Sequence, residues 1–166
     1  ADPVLQDRIL AGHQAILAQV EYFRANFGQA ESRWKKDGTR VTIVDETISH
    51  ELFLLLQKDF PKDDYCSEEG AETPQPIPTK AEFCWILDPV DGTNNYAVGI
   101  PECCISLGLL RHGMPVYGFI YDYGRDNLLQ GGKEYGAIEG TNAVFSATEL
   151  VNEKLTYCMH FPIPPK

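Results

Sequence analysis

The apolar residues of this chain change their spacing near residue 83, and that change decides what the chain can fold into. Before it, Leu5, Ile9, Ile16, Val20, Phe23 and Phe27 recur at steps of three and four residues or their sums, the period of one helical face. No proline interrupts the run and only Gly12 opposes it, so an amphipathic helix over 4–27 is expected. A polar stretch over 34–40, with a turn signal at Asp37-Gly38, reads as a loop leading into a short β-branched extended segment over 41–44. Ile48 to Leu56, closed by Pro61, reads as a second helix capped by Asp45 or Thr47.

After the proline-rich connection Thr73-Pro74-Gln75-Pro76-Ile77-Pro78, which cannot continue a helix, the pattern is that of strands. Runs over 83–87, 103–110, 116–121, 127–130 and 135–138 are separated by turns such as His112-Gly113 and Gly131-Gly132. Sequential hairpins imply a mainly antiparallel sheet, and Leu155 to Phe161 reads as one more strand before Pro162, Pro164 and Pro165. The fold class is therefore layered α/β (α+β), two helices packed on a mainly antiparallel sheet.

Charge narrows the function. With 14 basic against 24 acidic residues the net charge is −10, which opposes binding to a nucleic-acid polymer or an anionic membrane. No uninterrupted apolar run approaches the roughly 20 residues that span a bilayer. If the carboxylates converge, the same acidity suits hard divalent cations, which take oxygen ligands. Five cysteines, an odd number without a CxxC spacing, suggest neither a disulfide framework nor a zinc site, and a reducing, cytoplasmic location is expected.

The segment Trp85-Ile86-Leu87-Asp88-Pro89-Val90-Asp91-Gly92-Thr93-Asn94-Asn95-Tyr96 carries the chemistry. An apolar strand ending in Asp88 delivers that carboxylate to the sheet edge, and Asp91, past the turn set by Pro89, can face the same point. Two carboxylates held that close repel unless a cation lies between them. The Val90 carbonyl can add a neutral oxygen. If Gly92 and Thr93 open a helix or tight turn, their N–H groups offer an anion site beside the metal. Glu68 and Glu69 follow the strand-like Tyr65-Cys66, and Asp45 ends the run over 41–44. No GxSxG setting surrounds Ser67, Ser106 or Ser146, and His13, His50, His112 and His160 form no HExxH pair, so neither a serine triad nor a zinc hydrolase is indicated. Adjacent Cys103 and Cys104 read as a strand packed on both faces.

The ordered motifs VTIVD, SEEG and WILDPVDGTNNY resemble the inositol monophosphatase family of lithium-sensitive, Mg²⁺-dependent phosphatases. Spacings of 23 residues from Asp45 to Glu68 and 20 from Glu68 to Asp88 resemble that family's, and the hairpins over 101–138 are similar to its central ones. The resemblance implies a sugar-phosphatase fold and hydrolysis of a small phosphate monoester, such as an inositol, sugar or nucleotide phosphate. It implies two or three Mg²⁺ ions per complete site. Glu68, Asp88 and the Val90 carbonyl would hold one ion, and Asp88 with Asp91 a second. Asp45 with Thr93 would orient or deprotonate the attacking water, Glu69 would support that shell, and the Gly92 and Thr93 amides would grip the phosphate. The loop over 35–39 would be a mobile flap, and a homodimer is a fair expectation.

Members of the family continue into a second α/β layer that brings a further metal-binding Asp in a Trp-Asp motif. Trp34 and Trp85 are the two tryptophans here and neither precedes Asp. Residues 1–166 are therefore expected to form the N-terminal catalytic part, with the second half absent. A noncatalytic metal- or phosphate-binding or assembly module, or an inactive fragment needing that half, is the alternative expectation.

Overall fold

The computed structural model describes residues 2–36, 38–69, 77 and 80–144. Helix α1 (Pro3–Ala25) and helix α2 (Ile43–Asp59) pack on each other, joined by a hairpin of β1 (Ser32–Trp34) and β2 (Arg40–Thr42). A seven-stranded sheet follows in sequential order: β3 (Asp64–Ser67), β4 (Phe83–Asp91), β5 (Cys104–Arg111), β6 (Met114–Asp122), β7 (Asn127–Gly132), β8 (Gly136–Glu139) and β9 (Asn142–Val144). A short helix α3 (Thr93–Val98) lies between β4 and β5. The expected helices on a mainly antiparallel sheet are present, with one parallel pair, β3 beside β4.

Four local expectations are corrected. The stretch over 34–40 is not a loop throughout, because Trp34 and Arg40 pair as the last rung of the β1–β2 hairpin. Ile43 and Val44 are helical rather than extended, and Thr42, not Asp45 or Thr47, caps α2. Thr42 Oγ1 accepts from the Val44 and Asp45 amides, while the Asp45 carboxylate accepts from the Thr42 amide. This reciprocal capping outweighs the β-propensity of Ile43 and Val44. Strand β4 does not end at Asp88 but runs through Pro89 to Asp91. Strand β9 had no expected counterpart, and the strand expected over 155–161 lies outside the described residues, as does most of the proline-rich connection.

The core lies between the helices and one face of the sheet. Ile16 and Phe23 of α1 and Ile48, Leu52 and Leu56 of α2 meet Trp85, Leu87, Ile105, Leu107, Leu109 and Phe119, all essentially inaccessible to water. Gly12, the residue that opposed the helical pattern, has a packing reason: a Cβ there would sit 2.8 Å from the Phe119 ring and 3.0 Å from Trp85. The glycine's helix cost is offset by this close approach of α1 to the sheet. Tyr96 anchors α3, stacking on Phe23 at 4.8 Å and donating its hydroxyl to the Phe23 carbonyl at 2.7 Å.

A buried ion pair ties the start of α1 to the chain between α2 and β3. Arg8 donates to both oxygens of Asp63 at 2.8 and 2.7 Å, its guanidinium lies over the Phe60 and Phe83 rings, and Trp85 Nε1 donates to the same carboxylate at 3.0 Å. The Asp63 and Arg8 side chains are 4% and 13% exposed, so removing one partner strands a charge in a dry site. Asp63→Ala is expected to cost about 3–5 kcal/mol in urea unfolding. A loss below about 1 kcal/mol, the range of exposed pairs, would show that the tie does not hold these elements together.

Candidate functional site

Asp88 and Asp91 are brought to one face of β4 by a bulge. Asp88 pairs with Ser106 and Asp91 with Cys104, so the two intervening residues Pro89 and Val90 oppose the single residue Ile105. In a regular strand, residues three apart point to opposite faces; the extra residue resets the phase. Pro89 suits this position because it has no N–H to lose from the ladder. The expected turn is therefore a bulge within the strand, and it achieves the convergence that the spacing suggested.

Glu68 arrives from the parallel neighbour. Ser67 pairs with Leu87, and the Glu68 amide donates to the Leu87 carbonyl at 3.0 Å, placing Glu68 level with Asp88. The Asp88 carboxyl is pushed up to about 8, by burial first, then by the charge of Glu68, then by Asp91 and Asp45. Among the described residues no three acidic, imidazole or thiol side chains are gathered into a ready-made ion cage. The donor set still fits a hard divalent ion: it is all oxygen, and a cation beside Asp88 would favour the ionised form that burial and the neighbouring acids disfavour.

Asp45 sits at the first turn of α2, 1% exposed. Its Oδ2 accepts from the Thr42 amide at 2.8 Å and the Thr42 hydroxyl at 2.5 Å. Its Oδ1 faces the Thr93 hydroxyl at 3.3 Å, and that hydroxyl lies closer, 2.8 Å, to the Val90 carbonyl. Burial raises the Asp45 carboxyl to about 6 against the opposing pull of its Thr42 bonds. One oxygen is thus fully engaged, and the other is the one able to accept a further proton.

The remaining expected residues fall around this centre. Gly92 begins α3 with φ 83°, and a Cβ there would lie 2.7 Å from the Glu102 carbonyl, so both conformation and space call for glycine. Glu69 does not face the other carboxylates alone: Lys35 Nζ donates to it at 2.7 Å, and the Glu69 amide donates to Ser67 Oγ at 3.1 Å. Lys35, in the loop expected to be a flap, is therefore tied to Glu69 by an ion pair. Cys104 donates its thiol to Asp91 at 3.8 Å and is pushed up to about 12, by burial and then by Asp91 and Asp88, so it is no nucleophile.

Sequence reasoning missed Thr42 and the pairing role of Lys35. The Thr-x-x-Asp spacing from Thr42 to Asp45 was a legible capping-box signal. Nothing local in the sequence joins Lys35 to Glu69, which lie 34 positions apart.

The sequence profile of the inositol monophosphatase family matches residues 2–160. The chain belongs to that family. A protein of Aquifex aeolicus named fructose-1,6-bisphosphatase/inositol-1-monophosphatase is 34% identical over 129 residues, 74% of this chain and 46% of that protein. Among solved structures, the extragenic suppressor protein suhB of Bartonella henselae superposes with a TM-score of 0.74 at 25% identity, covering 85% of this chain and 54% of its own. An IMPase/NADP phosphatase complexed with Mg²⁺ and phosphate superposes with a TM-score of 0.69 at 25% identity, covering 83% and 52%. This member of the family spans about half the length of the curated relatives it matches.

Asp88 gives this site a pH dependence that is readable without substrate. Its folded carboxyl titrates above the unfolded one, so its contribution to stability is present below about pH 4 and is lost as pH rises through about 8. In chelator, Asp88→Asn is expected to raise Tm at pH 8.5 by about 4 °C, the shift that 1–2 kcal/mol produces in a chain of this size, and to leave it unchanged at about pH 4. Equal effects at both pH values would remove the carboxylate repulsion from the account.

Proposed function

We propose that these residues form the metal- and phosphate-binding part of an Mg²⁺-dependent phosphatase acting on a small phosphate monoester. The observation that carries this reading is the β4 bulge, which puts Asp88 and Asp91 on one face, with Glu68 beside them and the Asp45–Thr93 pair adjoining. Glu68, Asp88 and the Val90 carbonyl would hold one ion, and Asp88 with Asp91 a second. When bound, the ions supply positive charge that makes water more acidic and offsets charge developing at phosphorus. The Mg²⁺ and phosphate named for the IMPase/NADP phosphatase support this assignment.

The chain's own groups do the remaining work. Thr93 directs the attacking water toward Asp45, whose open Oδ1 takes the proton while Thr42 keeps Oδ2 fixed. A carboxyl near 6 is matched to taking a proton near neutrality. The Gly92 and Thr93 amides orient the phosphate, and Glu69, held by Lys35, supports the shell around the first ion. No side chain need become covalently attached to the phosphoryl group. Residues 1–166 act as the N-terminal catalytic part, completed by what the longer relatives carry beyond this match. The substrate is a phosphorylated metabolite in a reducing, cytoplasmic setting. Among the described residues no helix is long and apolar enough to cross a membrane.

The test is phosphate release from a panel of phosphomonoesters with and without Mg²⁺. It uses this chain, its Asp88→Asn form, and a protein carrying this chain at the family's full length. Release that requires Mg²⁺ and falls by at least about 10³-fold in Asp88→Asn is expected. No release from either length would overturn the reading.

A further inference from the structure

Five of the six arginines are paired with carboxylates: Arg8 with Asp63, Arg24 with Asp126, Arg33 with Glu46, Arg111 with Asp2 and Glu82, and Arg125 with Asp122. Arg40, among the described residues, is the exception. Its guanidinium lies 4.6 Å over the Trp34 ring, and its Nε is buried with no hydrogen-bond partner. In a chain of net charge −10, an arginine left without a carboxylate calls for a reason. Stacking alone does not supply one. An exposed cation–π contact contributes about 0.5–1 kcal/mol, whereas a buried unsatisfied donor costs about 1–3 kcal/mol.

The position of Arg40 supplies that reason. Trp34 and Arg40 form the rung of the β1–β2 hairpin next to the turn. The hairpin touches the acidic centre on both sides of this rung: Thr42 bonds Asp45, and Lys35 reaches Glu69. Arg40 and Thr42 lie on the same face of β2, about 7 Å apart along the strand. Strand β2 also packs against α3, which carries Thr93. Trp34 is 62% exposed, so its indole is an open platform that fixes the plane of the guanidinium. A planar fork held this way suits a phosphate or carboxylate.

We infer that Arg40, presented on Trp34, is a specificity residue that receives a second oxyanion of the substrate, a phosphate or carboxylate on the part that does not react. This rests on the phosphatase reading of the adjoining centre. It assigns the site to phosphomonoesters bearing two anionic groups over neutral polyol monophosphates.

Calorimetry in an Asp45→Asn background with Mg²⁺, which suppresses turnover, compares fructose 1,6-bisphosphate with each of its two monophosphates. Arg40→Met is expected to weaken the bisphosphate at least about tenfold, the loss of a charge-assisted hydrogen bond, and the monophosphates less than about twofold. Arg40→Lys keeps the charge and loses the fork, and is expected to recover part of that affinity, which a merely structural role would not produce. The pair 2-phosphoglycerate and glycerol 2-phosphate, run in the same way, tells a carboxylate from a phosphate as the group received. Arg40 variants that shift all ligands equally, or none, overturn the inference. Absence of Mg²⁺-dependent phosphate release with Arg40-dependent selectivity intact would overturn the phosphatase reading, and with it the role in substrate specificity, and would leave Arg40 as an oxyanion-binding residue alone.

Discussion

Carboxylates three residues apart on a regular strand point away from each other, and bringing them together costs electrostatic energy that the fold must offset. The bulge at Pro89 and Val90 imposes this on Asp88 and Asp91, and the parallel pairing of β3 with β4 adds Glu68. The rest of the structure is arranged around that concentrated charge. The helices bury the opposite face of the same strands through Trp85 and Leu87, so the acidic side cannot relax by moving β4 without opening the core. Burial on one side and repulsion on the other leave the carboxyl of Asp88 well above its ordinary range, a state that a divalent cation relieves.

Asp45 shows how one residue serves folding and chemistry together. Its Oδ2 completes the capping box that starts α2, so the residue is fixed by the helix it helps to nucleate. That engagement leaves Oδ1 alone toward Thr93, and burial tunes the carboxyl to a range suited to proton transfer. A rigid element thus holds this carboxyl in place. The β1–β2 hairpin, held by Thr42 at its base and by the Lys35–Glu69 pair near its turn, brings the Lys35 ammonium to a centre otherwise dominated by acids.

Much of this was legible in the sequence, for identifiable reasons. The two helices and the hairpin strands follow from hydrophobic period and glycine turns, which are local signals. The carboxylates of Asp88 and Asp91 were readable because DPVD sits at the end of an apolar run. What was not legible depends on register or on distant partners. A bulge and a turn have the same local sequence here, and the choice is made by β5, which supplies one residue opposite two. Ile43 and Val44 have strand-like side chains, yet the bonds between Thr42 and Asp45 make them helical. The pairing of Lys35 with Glu69, and the lack of any such partner for Arg40 among the described residues, exist only once the hairpin is docked.

Burial and the crowding of acids keep the Asp88 carboxyl protonated at neutral pH until a divalent ion displaces its proton. Calorimetric titration of Mg²⁺ at pH 7, in buffers of different ionisation enthalpy, counts the protons released on binding. The account predicts release of about one proton as the first ion binds, abolished in Asp88→Asn. Binding without proton release, or release unchanged by that substitution, would contradict it.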